Sequence, residues 1–164
     1  MTLIVGERTN MRTWRPRLWP DVECEGYWRL MLRLGAFRDA RSSAKLAAIG
    51  LAAAPAVNLL PPDPQGAAWD AETAREVALA WLQRFAGYDR VYLAGGRVAA
   101  ALGARGGPLA GRYGEEFAVG EARCVLVPHP SGLNHFWNDQ AAVDRLRLKL
   151  AGGRRCSKRA RGGG

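Results

Sequence analysis

The sequence predicts a three-layer α/β/α sandwich built on a mainly parallel central sheet. Three observations carry that prediction. Apolar runs at 3–5, 56–60, 90–94 and 123–127 have the length and composition of buried strands. Stretches with helical spacing separate them, and this alternation is what builds parallel sheets with helices on both faces. The 164 residues, 48% hydrophobic and 24% charged, suit one domain around one core.

Leu3-Ile4-Val5 reads as the first strand, ending at Gly6-Glu7. Residues 8–25 carry Pro16, Pro20 and few periodic apolar residues, so they read as a long loop of the kind that usually serves function. Helical stretches follow over about 27–34, stopped by Gly35, and about 38–49. Ala56 to Leu60 is the second strand, closed by Pro61-Pro62. Asp70 is a good N-cap for the clearest helix, in which Val77, Trp81 and Phe85 recur at intervals of four up to Gly87. Arg90 to Ala94 is the third strand, and Gly95-Gly96 turns it into the Ala-rich helix 97–102. After a Gly-rich loop over 103–115, strands at 117–119 and 123–127 flank Gly120-Glu121. The last helix, capped by Asn138 or Asp139, runs over about 140–150 and is expected to stop at Gly152-Gly153.

The net charge of +9 is uneven. Five basic residues and no acid lie in residues 154–161, which divides the chain into a domain over 1–151 and a basic, Gly-rich flexible tail over 152–164. Such a tail attracts phosphates without specificity, or simply aids solubility. Arg8, Arg12, Arg15 and Arg17 form a second basic cluster behind the first strand. Three scattered cysteines with no CxxC pair argue against a disulfide framework or a structural zinc site, and no metal site is expected. No apolar run has the length of a membrane span and no signal peptide is evident, so the expected location is cytoplasmic and the expected state a monomer.

In parallel sheets, loops leaving the carboxyl ends of the strands converge on one crevice. Three polar residues sit at such positions: Glu7 after the first strand, Asn58 in the second, and His129 after the last. His129 is one of two histidines, and it stands between Pro128 and Pro130 at a strand exit. That convergence makes a candidate active site. An unrelated use is also open, since Gly95-Gly96 before a helix could hold the anion of a nucleotide. Neither a GxGxxG nor a Walker pattern supports it.

The loop His129-Pro130-Ser131-Gly132-Leu133 resembles a signature loop of the uracil-DNA glycosylase superfamily. Gly6-Glu7 after an apolar strand, Val57-Asn58-Leu59-Leu60-Pro61-Pro62, and the strand–Gly–helix segment from Val91 to Ala99 resemble its other motifs in the same order. The pattern is nearest to the family 4 enzymes, without their iron–sulfur cysteines, and spans Leu3 to about Leu150. It implies a monofunctional DNA glycosylase that flips a base from the stack, hydrolyses its N-glycosidic bond and leaves an abasic site. No cofactor is expected, and DNA is the expected partner.

On this resemblance His129 donates a hydrogen bond to the departing base. Asn58 reads the flipped base or orients water, and Glu7 or Asn10 positions the attacking water. Ser131, Gly132 and Asn134 contact DNA, with Arg8, Arg12 and Arg15 on phosphates. Leu133 is the wedge that fills the vacated stack. Trp14, Trp19, Tyr27 and Trp28 are candidates to stack on the base, with Tyr27 and Trp14 preferred for the pocket and Trp28 better suited to the core. Each role has a plainer alternative. His129 could be a structural histidine, Glu7 an arginine's ion-pair partner, Leu133 a packing residue on the last helix. Asn134, His135, Phe136 and Trp137 could touch DNA or anchor the loop. The base could be uracil, a deaminated purine or a bulkier modified pyrimidine. A relative that binds DNA without turnover is the other reading.

Overall fold

The computed structural model describes residues 1–8, 25–60, 69–104, 112–131 and 133–159. Five strands form one sheet: β1 (Thr2–Arg8), β2 (Ala56–Leu60), β3 (Arg90–Ala94), β4 (Glu116–Val119) and β5 (Ala122–Val127), in the order β2-β1-β3-β5-β4. Every pairing is parallel except β4 on β5. Around the sheet lie α1 (Glu25–Leu34), α2 (Ala40–Ala48), α3 (Ala71–Ala80), α4 (Leu82–Ala86), α5 (Gly96–Ala101) and α6 (Gln140–Arg159), with a 3-10 turn at His135–Asn138. This is the α/β architecture the sequence predicts.

Strand periodicity sorts side chains onto two faces, and each face has its own helices. Leu3 and Val5, Val57 and Leu59, Val91 and Leu93 pack with Trp28 and Met31 of α1, Val77 of α3, Phe85 of α4 and Val98 of α5. Their neighbours Ile4, Ala56, Tyr92 and Val125 pack with Leu46 of α2 and with Val143, Leu146 and Leu150 of α6. Both faces are covered, so β2 and β3 are buried at every position. The hairpin β4–β5 turns on Gly120, whose φ of +57° suits the first position of a two-residue turn.

Local structure departs from expectation in two places. The helix predicted from Asp70 to Phe85 is divided at Trp81 (φ −97°, ψ 0°), although Trp81 N–H still donates to Val77 O at 3.1 Å. The Trp81 ring is buried, edge-on to Trp28 at 4.9 Å and to Phe85 at 6.3 Å. Gly152-Gly153 do not stop α6, whose backbone stays helical to Arg159. A glycine costs a helix about 1 kcal/mol relative to alanine, which weakens a helix without ending it. Residues 160–164 of the predicted tail lie outside the described residues. No helix among the described residues is long and apolar enough to cross a membrane.

The strand order creates the site. β1 lies between β2 and β3, so the chain leaves β1 toward one side of the sheet and later returns on the other. The carboxyl ends of β1 and β3 therefore flank a topological switch point, where α/β sheets open a crevice.

Candidate active site

Two glycines set the geometry of that crevice. Gly6 is paired across the sheet with Asn58. A Cβ on Gly6 would stand 2.2 Å from Asn58 Oδ1 and 2.7 Å from Phe37 Cζ, so only glycine lets the amide and the ring close over β1. Gly95, at the end of β3, has φ +97°, which L side chains rarely adopt. Its missing Cβ would stand 3.1 Å from His129 Cβ and 3.5 Å from Glu7 Oε1. The carboxylate and the imidazole thus meet above a bare stretch of backbone. Glu7, Asn58 and His129, expected together from sequence, share one rim of the sheet.

His129 is fixed from several directions. Its Nδ1 accepts from Ser131 N–H at 3.1 Å, which leaves the proton of the neutral ring on Nε2 as a donor. Its carbonyl accepts from Trp137 Nε1 at 2.8 Å, and its ring meets Phe37 edge-on at 5.4 Å. Burial lowers its pKa below the ordinary value of 6.5; the nearby Glu7 charge opposes this, while Arg97 and Lys45 push the same way. The ring is therefore neutral at pH 7, a hydrogen-bond donor rather than a cation.

Lys45 of α2 is a site residue that the sequence did not single out. Its Nζ donates to Ser131 O at 3.0 Å and lies 5.7 Å from the centre of the Trp137 ring. Lys45 and Trp137 together pin both ends of the His129–Ser131 segment. Phe136 and Trp137 pack on the α2–α6 side of the core, and Asn134 Oδ1 caps the 3-10 turn by accepting from Phe136 N–H at 3.1 Å. These residues anchor the loop. Leu133 does not pack on α6: it is 91% exposed at the loop's tip.

Among the described residues Glu7 meets an arginine from outside the 8–17 loop. Arg97 of α5 approaches it at 3.5 Å, with the arginine mostly in solvent, a geometry worth at most about 1 kcal/mol. Trp28 belongs to the opposite face, among Trp81 and Phe85. Among the described residues the aromatic at the crevice is Phe37, in the short connection between α1 and α2. Its φ of +58° is unusual for a residue other than glycine and costs on the order of 1–3 kcal/mol. Ser43 Oγ donates to its carbonyl at 2.9 Å and holds that conformation. An aromatic in a short loop before a helix cap (Asp39, whose side chain accepts from Ser42 N–H) was the available signal.

Arg8 closes β1 opposite Leu60, and Tyr27 lies in the first turn of α1. Their side chains, together with Asn10, Arg12, Trp14, Arg15, Arg17, Trp19 and Gly132, lie outside the described residues. Among the described residues no group of three His, Cys, Asp or Glu side chains could hold a metal ion. No protein-family model matches this sequence, and no curated protein matches it.

Proposed function

We propose that the chain is a DNA glycosylase that hydrolyses the N-glycosidic bond of a flipped base. The observation that carries this reading is the meeting of Glu7 and His129 over Gly95, with Asn58 and Phe37 alongside. A neutral imidazole donating from Nε2 suits the carbonyl oxygen of a leaving base, where negative charge grows as the bond to C1′ breaks. The bonding pair departs with the base. Glu7 accepts a hydrogen bond from a water whose oxygen bonds to C1′, and the released proton passes through the carboxylate to solvent. Asn58 brings an amide toward the base edge, and Phe37 a ring toward its face.

Features outside the pocket support a nucleic-acid substrate. Leu133 projects an apolar side chain from a loop held by Lys45 and Trp137, as insertion between base steps requires. The excess of nine positive charges favours a phosphate backbone.

The test is base release from oligonucleotides carrying uracil, hypoxanthine, mismatched thymine and 5-substituted pyrimidines. His129→Ala is expected to slow release by about 10²–10³ while melting stays near that of the parent. DNA bound with no base released would favour the relative that binds without turnover.

A further inference from the structure

A cavity of about 250 Å³ lies on the same sheet face as Gly6 and Asn58, one step down the strands. Its floor is Ile4 of β1 and Ala56 of β2, which are Cα partners. The crevice stands on the next pair of that face, Gly6 and Asn58, displaced by two residues, or about 6.6 Å of strand. Phe37 belongs to both. Its ring tip overhangs Gly6, and the residue also lines the cavity. Leu46 closes one side, while Arg38, whose Nη2 donates to Arg33 O, and Ser43, whose hydroxyl donates to Phe37 O, bring a guanidinium and a hydroxyl to the wall.

We infer that this cavity receives the substituent of an enlarged base, a pyrimidine carrying at C5 an apolar stem that ends in a polar or anionic group. The inference rests on the glycosylase reading of the neighbouring crevice. Three points lead to it. The volume equals roughly eight waters at about 30 Å³ each, room for a substituent of several non-hydrogen atoms and far more than a methyl group needs. On a pyrimidine, N1 carries the sugar, and C2, N3 and C4 present the polar edge that Asn58 and His129 would engage. C5 is the position that can be extended without loss of a hydrogen bond. The wall chemistry is graded likewise, from the apolar Ile4, Leu46 and Ala56 to Arg38 and Ser43. Phe37 is then a specificity residue, the partition that a substituted base passes and an unsubstituted one leaves in place.

The experiment compares release of uracil, thymine, 5-propynyluracil and 5-(2-carboxyvinyl)uracil from otherwise identical DNA. Two variants that fill the cavity, Ala54→Phe and Ala52→Trp, are measured beside the parent, with thermal melting to confirm that each is folded. The expected result is at least tenfold faster release of the carboxyvinyl base than of uracil, and a tenfold or greater fall of that ratio in either filled variant. Arg38→Gln should lower carboxyvinyl release relative to propynyl release. A ratio that is the same in the parent and in both filled variants overturns the inference while leaving the glycosylase reading intact. If no base is released from any DNA, the glycosylase reading fails, and free nucleobases decide about the cavity. Stabilisation by 5-(2-carboxyvinyl)uracil but not uracil, abolished by Ala54→Phe, sustains it, and equal shifts for both bases overturn it.

Discussion

The two faces of the sheet are made from alternate residues of the same strands, yet they serve opposite ends. One face interdigitates Leu3, Val5, Val57 and Leu93 with Trp28, Trp81 and Phe85, whose rings meet edge-on, as packed aromatic pairs prefer. The other begins in the same way with Ile4 and Tyr92, then gives way to Gly6, Asn58, Phe37 and a cavity. Close packing maximises contact and leaves nothing for a ligand to fill. The second face forgoes some of that packing for an unfilled volume, a buried amide and a backbone held at positive φ. The first face is packed throughout, and the unfilled volume and the buried amide lie on the second.

Mutations should separate the two. Trp81→Ala, at the centre of the packed face, should cost about 3–5 kcal/mol of unfolding free energy by denaturant titration. The remaining folded protein should keep its activity. His129→Ala is the converse case, losing catalysis with little change in the melting midpoint. Loss of more than about 2 kcal/mol of stability with it would blur the division between faces. Gly6→Ala tests the boundary, since its methyl would collide with both Asn58 Oδ1 and Phe37. Overpacking of about 1–3 kcal/mol should accompany a loss of base release.

Acid should act through the same face. Burial holds the His129 pKa below 6.5 in the folded protein, so between the two values the unfolded chain binds more protons. Stability therefore falls as pH drops below about 6.5, and this contribution stops changing once pH is below the folded pKa. His129→Gln should flatten that part of a stability–pH curve; an unchanged slope would assign the effect to other groups. The smallest stability effect belongs to Leu133→Ala, within about 0.5 kcal/mol because the side chain is solvated. Its effect should fall on duplex DNA and spare flexible single strands.

How much of this was legible in the sequence follows the range of the interactions. The strand runs, the Asp70 cap, the turn at Gly120 and the core placement of Trp28 depend on near neighbours, and each reads correctly. Asp70 Oδ1 accepts from Glu72 and Thr73 N–H, as a cap should. Glu7, Asn58 and His129 were also recoverable, because strand ends are visible and strand ends converge. Phe37 and Lys45 were not. Their roles come from contacts with Gly6 and Ser131, far away in the chain, and no periodicity encodes such a meeting. Trp81 shows the same limit in reverse: its spacing fits an unbroken helix, yet the helix divides at the residue whose ring packs edge-on against Trp28.

The position of β1 governs how the molecule comes into being. It is the first of the sheet's described strands in chain order and the one enclosed between β2 and β3, so neither of its edges is covered until residue 60 and then residue 94 have followed. The imidazole that meets Glu7 belongs to residue 129, later still. No shorter N-terminal fragment carries both groups, and pairings so distant in sequence slow folding. During synthesis the exposed strand must wait, open to unwanted partners, until the segment after β5 supplies the loop that carries His129.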